Sequence, residues 1–400
     1  MHLGRRILWK SLPKVGFSMG HVARKSIMEH FEDLPDPRID RTKRHLLSDI
    51  IIIVLIAVLC RAEGFNEIAD FAAARENWFA KFLELPNGIP SHDTFARVFA
   101  RLDPQAFSAS FLAWTQSLSD KSDGRVIAVD GKTLRHSFQS AQNYDPIHMV
   151  SAWACDNHMV LGQMKVGDKT NEIKAIPLLL ELLDLEGAIV TIDAMGTQKA
   201  IADMIIEKKA NYVLPLKDNQ PNLRADVEAY FNRLHNEQFR DHEDNKVAHT
   251  KIQSRDNDHG RLETRTCWAV ECPNWVEGYK EWKNLLSIAC IKSERQVDGV
   301  TSVEYRYYIS SLPTKASLIA NAVRSHWGIE NSLHWILDRA FREDESRIHK
   351  DNAPQNMAVI RHAAVNLIKA NPLQRSIRRK MFLASIDENY LRQVLFGVDN

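Results

Sequence analysis

The chain has 400 residues, room for about two or three domains at roughly 150 residues each. Hydrophobic residues make up 44% and charged residues 26%, a balance that excludes a disordered, collagen-like or fibrous chain. Lysine plus arginine is 52 against 51 aspartate plus glutamate, so the net charge is +1 and affinity for nucleic acid requires local basic patches.

Cys60, Cys155, Cys267, Cys272 and Cys290 form no CxxC pair, so no disulfide framework is expected and a reducing cytoplasm fits. Residues 1–26 hold six lysines and arginines and no acid, and they lack the apolar core of a signal peptide. They read as a basic leader outside the fold. The longest apolar run, Ile50 to Cys60, is too short for a bilayer, which needs about 20 residues. It reads as a buried core helix, and no membrane association is expected.

From 27 to 118 the pattern is helical. Ser48 is the expected cap of the helix through Cys60. Ile68, Phe71, Trp78, Phe79 and Phe82 follow, and Ser91 precedes Phe95, Val98, Phe99 and Leu102, one face of a further helix. A helix-turn-helix and a small bundle without DNA both fit this region. Near Gly124 the period changes. Short β-type runs fall at Val126–Val129, His148–Cys155 and Met159–Val166, then a helix at Ala175–Leu185, a strand at Ala188–Ile192, a helix at Gln198–Lys209 and a strand at Tyr212–Leu216. This order, β-β-β-α-β-α-β, is that of a ribonuclease-H-like α/β fold. From 218 to 305 come less regular β-like pieces, read as an inserted β-rich subdomain. A long helix from Lys315 to Phe341 and another at Pro354–Lys369 complete the core, and a basic segment occupies 371–400. The expected domains are therefore 1–26, 27–118, 119–217 with 306–370 as the core, the 218–305 insertion, and 371–400.

Three stretches carry candidate chemistry. In VIAVDGKTLRHS, Asp130 ends an apolar strand, where α/β sheets place their chemistry. Gly131, Lys132 and Thr133 are not a P-loop, because the glycine required upstream is Val126. In VTIDAMGTQK, Asp193 repeats the arrangement. If the two strands are neighbours, the facing carboxylates repel unless a cation lies between them, and hard oxygen ligands suit Mg²⁺ or Mn²⁺. The alternative is that each aspartate only caps the following loop. In RSHWGIENSLHWILD, His326, Glu330, His334 and Asp338 recur every four residues along one helical face. They form either a solvated stripe or a surface in which Glu330 joins the two aspartates while Arg324, His326, Asn331 and His334 grip DNA.

These motifs, together with LPLKDNQ, HGRLETR, RYYISS, the NEI-x-AIP segment at Asn171, LPDPR, GIPSHDTFARV and the C-terminal IRRKM and NYL, resemble the H-repeat-associated branch of the DDE-class bacterial insertion-sequence transposases. The resemblance covers nearly the whole chain from Phe31. It implies that Asp130, Asp193 and Glu330 are catalytic metal ligands holding two Mg²⁺ or Mn²⁺ ions about 3.5–4 Å apart. It further implies cleavage at the element's terminal inverted repeats, strand transfer into target DNA, a homo-oligomer on DNA, and a nucleoid-associated cytoplasmic protein. Lys132, Arg135, His136 and Lys217 are candidates for phosphate contacts, and Glu172, just before the first core helix, for a fourth acid. The alternative role is a DNA-binding regulator or inactivated transposase remnant that does not cut. Two departures stand out: Asp218 occupies the glycine position of the family's KGNQ motif, and the basic leader puts Met19 and Met28 forward as initiators.

Overall fold

The computed structural model describes residues 27–118, 124–135, 137, 146–166, 172–240, 246–258 and 261–397. The basic leader and His136 lie outside them. The chain divides into two units, one from 1–119, 133–147 and 333–400, the other from 120–132 and 148–332.

The first unit is helical. It contains α1 (Ile27–Phe31), α2 (Leu47–Leu59), α3 (Phe65–Ala74), α4 (Glu76–Phe79), α5 (His92–Arg101) and α6 (Pro104–Leu118). From the far end of the chain come α11 (Trp335–Arg339), α12 (Ala353–Ala370), α13 (Ile377–Ile386) and α14 (Glu388–Phe396). The central helix α2 is apolar on every side and buried almost throughout, as a helix inside a core must be. No helix among the described residues is long and apolar enough to cross a membrane. The cap of α2 is Leu46 without a side-chain hydrogen bond, not the Ser48 expected from sequence. Asp49 instead accepts from the Leu85 amide at 2.9 Å.

The C-terminal helices are not a separate basic segment. α12 packs on α2, α5 and α6, and α13 packs on α2. Asn356 of α12 donates to the carbonyls of Phe99 and Leu102, locking it to the end of α5. A core helix supplied from residue 353 onward therefore completes the 27–118 bundle. The basic cluster is also partly interior. Lys380 is buried, and its Nζ donates to the carbonyls of Ile368 (3.3 Å) and Asn371 (2.6 Å), satisfying the open end of α12.

Lys369 is pulled down to about 8 by burial and then by the charge of Lys380. Because its pKa is lower in the folded chain, the unfolded chain binds more protons above pH 8, and wild-type stability gains with pH in that window. Lys369→Met is therefore expected to raise the melting temperature at pH 7 by ~2–4 °C. The advantage should shrink above pH 8, and thermal scans of both proteins at the two pH values check it.

The second unit is a nine-stranded sheet in the order β3-β2-β1-β4-β5-β9-β8-β7-β6. Its first part holds β1 (Val126–Thr133), β2 (His148–Ala154), β3 (Met159–Val166), α7 (Glu172–Leu182), β4 (Ile189–Ile192), α8 (Lys199–Glu207) and β5 (Asn211–Leu216). β1, β4 and β5 run parallel, while β2 and β3 form an antiparallel hairpin. The strands expected from sequence occur in the expected order.

The 218–305 insertion differs from a separate subdomain. It begins with a helix missed in sequence, α9 (Pro221–Asn236), and continues as β6 (His249–Asp258), β7 (Arg261–Glu271), β8 (Ser287–Val297) and β9 (Val300–Ser310). β9 pairs antiparallel with β5, from Val213↔Ser310 to Leu216↔Tyr307, so these strands extend the core sheet. The β8–β9 hairpin closes at Asp298 and Gly299, with φ of 49° and 79°. Two successive positive φ values define the turn whose twist matches paired strands. α10 (Ala316–Ile329) then packs on β4, β6 and β7. All five cysteines are buried and free.

Candidate active site

The register of the parallel strands sets the geometry. Val129 of β1 lies opposite Ile192 of β4, so Asp130 and Asp193 are the next residues on adjacent strands, at the same end of the sheet. Both are half-buried. Asp193 Oδ1 accepts from the Gly196 amide at 3.0 Å. Burial pushes the Asp193 carboxyl above its usual range, and the Glu172 charge adds to this; the Gly196 hydrogen bond and Lys217 act in the opposite direction.

The third acid arrives on a distorted helix. After Ile329, α10 widens into a π-helical turn, Glu330–His334, before α11 begins. Single π-turns inside α-helices frequently mark functional positions. The turn breaks the regular four-residue stripe expected for His326, Glu330, His334 and Asp338. It brings a Glu330 carboxylate oxygen within 4.8 Å of one from Asp130. Two carboxylates this close repel unless a cation neutralises them. Oxygen donors suit Mg²⁺ or Mn²⁺. The donor set therefore fits a divalent ion. The Asp193 carboxylate is outside this close group.

The remaining candidates separate into several environments. Glu172 opens α7 and pairs with His148, the first residue of β2. Lys217 follows β5, and its charge is felt at both Asp193 and Glu304. Lys132 is half-buried on β1. Arg135 is exposed and pairs with Asp344 at 3.2 Å. Arg324 is exposed and pairs with Asp256 at 3.0 Å. Asn331 is exposed, whereas His334 is buried. His326 is half-buried, its Nδ1 3.0 Å from the hydroxyl of Thr191 on β4, two residues before Asp193. That bond ties the helix of Glu330 to the strand of Asp193. Thr191 and His148 were not singled out in sequence; a polar residue inside each apolar strand run was the available signal. Asp218 is exposed and pairs with Arg224 at 2.6 Å, which offsets its charge.

These carboxylates make a candidate site at one end of the parallel strands. The "Transposase DDE domain" family matches residues 121–367, and the "DDE_Tnp_1-associated" family matches residues 28–115. The chain belongs to the DDE transposase family. Its relatives place it in the H-repeat-associated branch. It is 37% identical over 379 residues to "H repeat-associated putative transposase YhhI" of Escherichia coli strain K12, covering 93% of this chain and 98% of that one. It is 39% identical over 376 residues to "Putative transposase YncI" of Escherichia coli O157:H7, covering 93% and 94%. Among solved structures, a piggyBac transposase synaptic complex with hairpin DNA aligns over 92% of this chain and 79% of that one, at 10% identity and a TM-score of 0.38.

Proposed function

We propose that the chain is a metal-dependent DNA transposase with a ribonuclease-H-like core, cutting at the ends of its own insertion element and joining the freed end to target DNA. The observation that carries this reading is the approach of Asp130 and Glu330 within 4.8 Å, with Asp193 next to Asp130 in strand register. The strand order β3-β2-β1-β4-β5 and the family membership support it.

Asp130, Asp193 and Glu330 would hold two Mg²⁺ or Mn²⁺ ions. Bound there, the metal supplies Lewis-acid activation of the attacking oxygen and stabilisation of the leaving one. The three acids orient the scissile phosphate through that shared charge, and His326 fixes the helix that carries one of them. Lys132 and Lys217 would offset phosphate charge beside the acids; each such contact would give salt-dependent affinity with little sequence readout. Asn331, exposed beside Glu330, is the candidate of the helix with a free approach to the duplex. Arg135 and Arg324 would have to exchange Asp344 and Asp256 for phosphate, a neutral swap of one anion for another. The terminal inverted repeats and target DNA are the partners, with a homo-oligomer bridging the two ends. Water attacks the phosphodiester at the element end and releases a 3′-hydroxyl, which then attacks a target phosphodiester and displaces its 3′-oxygen.

Cleavage of a duplex carrying the flanking element end, with Mg²⁺ or Mn²⁺, tests the reading. Nicking at the end by wild type and its loss in Asp193→Ala are expected. Binding by both without cutting would instead support the regulator or inactivated-remnant role.

A further inference from the structure

The chain is almost neutral as a whole, so attraction for DNA needs arginines and lysines whose charge is not already offset. Several exposed arginines do not qualify. Arg135, Arg324 and Arg342 are held by carboxylates at 3.2, 3.0 and 2.9 Å. The run from Lys369 to Ile386 differs, with five lysines and arginines and no acid. Within it, α13 has a fixed inner and outer face. Lys380, Met381 and Ala384 are buried, and the Lys380 Nζ is bonded to the carbonyls at the end of α12. Arg378 and Arg379 lie on the opposite face and are exposed. Arg375, just before the helix, is also exposed, and its guanidinium donates only to the neighbouring Gln374 carbonyl. Among the described residues none of the three arginines has a carboxylate partner. Phe382 and Ile386 continue the same outer face, 50% and 61% exposed.

Local stability does not account for these arginines. Cations in the first turn of a helix oppose its dipole, and α13 has no acid there to offset them. We propose that the outer face of α13 grips the phosphate backbone of duplex DNA. Arg375, Arg378 and Arg379 each pair with a phosphate, and Phe382 and Ile386 lie against the sugars one and two turns on. This rests on the transposase reading above for the identity of the partner. Planar guanidinium groups match phosphate oxygens in pairs, and such contacts position a duplex without reading its sequence. An anionic membrane presents phosphate too. However, two outward apolar side chains offer little area to bury in lipid, whereas DNA binding is dominated by charge.

Fluorescence anisotropy of a labelled duplex titrated with the full chain, in EDTA so that nothing is cut, tests this. The variant Arg375→Gln, Arg378→Gln, Arg379→Gln is expected to bind ~10²-fold more weakly at 0.1 M salt. Its plot of log affinity against log salt should be shallower by ~3, since each phosphate contact contributes about 0.9 to the slope. The loss should be equal on an element-end duplex and an unrelated one. Lysine at the same three positions should keep most of the slope. The melting temperature of the glutamine variant should hold or rise, because charges opposing the dipole are removed. Lys199→Gln, Lys209→Gln, Lys283→Gln is the control for net charge, because each of these lysines is paired with a glutamate. Equal weakening by the control, or wild-type affinity and slope in the arginine variant, overturns the surface and leaves the transposase reading intact. Loss of binding to phosphatidylserine vesicles with DNA binding unchanged overturns it in favour of a membrane. If the wild-type chain binds neither duplex, the transposase reading falls with it.

Discussion

Asp130→Asn is expected to lower metal-dependent cleavage of an element-end duplex by ~10³-fold or more, since metal stabilisation of the transition state is worth several kcal/mol and each ~1.4 kcal/mol is tenfold in rate. Asparagine keeps the size and one oxygen of the side chain but removes the charge. Asp130 would be one of the acids that hold the metal, so its loss would weaken that hold. Glu330→Gln should fall nearly as far, and the double variant little further, because groups that act as a unit are not additive. Stability should move the other way. The Asp130 and Glu330 oxygens lie within 4.8 Å, so neutralising one relieves repulsion in the metal-free chain, and the melting temperature should hold or rise. DNA affinity in a mobility shift should be retained. Quantified nicking at saturating Mg²⁺ is the measurement; activity within tenfold of wild type would remove Asp130 from the site.

Much of the candidate site was legible in the sequence. The parallel strands β1 and β4 are buried on both faces and so appear as largely apolar runs that lead into an aspartate. Their order and parallel pairing followed from the alternation with helices, and register then put Asp130 beside Asp193. Glu330 was a weaker inference, since a four-residue stripe is shared by many solvated helices. The π-turn that brings it to Asp130 has no signature in periodicity, because it changes the spacing on which periodicity rests. For the same reason His334 was read as a surface residue, yet it is buried.

Other misses have separate causes. α9 was overlooked among charged residues, although Pro221 in its first turn and Leu223, Val227, Phe231 and Leu234 along its buried face carry the pattern of a surface helix. The grouping of α12 with α2, α5 and α6 was not readable at all, since local patterns show that a helix has an apolar face and not which face it meets. Lys380 shows the limit of reading charge runs: a lysine among arginines looks solvated until the carbonyls it caps are seen.

In the helical unit, Arg361→Met is expected to cost ~3–5 kcal/mol of stability, the penalty for leaving a buried charge without its partner. Arg361 and Glu343 are both nearly inaccessible, at 4% and 3% exposure. Their charged atoms lie 3.7 Å apart, and Arg361 also donates to the Ser346 hydroxyl at 2.9 Å. Burial pulls the guanidinium pKa down, while the charges of Glu343 and Glu63 oppose that shift. Methionine matches the length of the arginine stem but removes a cation 3.7 Å from the buried Glu343 carboxylate. With a drop of roughly 2–4 °C per kcal/mol for units of this size, the melting temperature should fall by about 10 °C. Arg361→Met combined with Glu343→Leu should recover most of the loss, because an apolar pair of similar volume carries no desolvation penalty. Denaturant curves of wild type, both single variants and the double variant close the cycle. Recovery in the double variant would show that the pair is retained for geometry at the turn after α11, and a loss in Arg361→Met below ~1 kcal/mol would mean that water reaches Glu343 and offsets its charge.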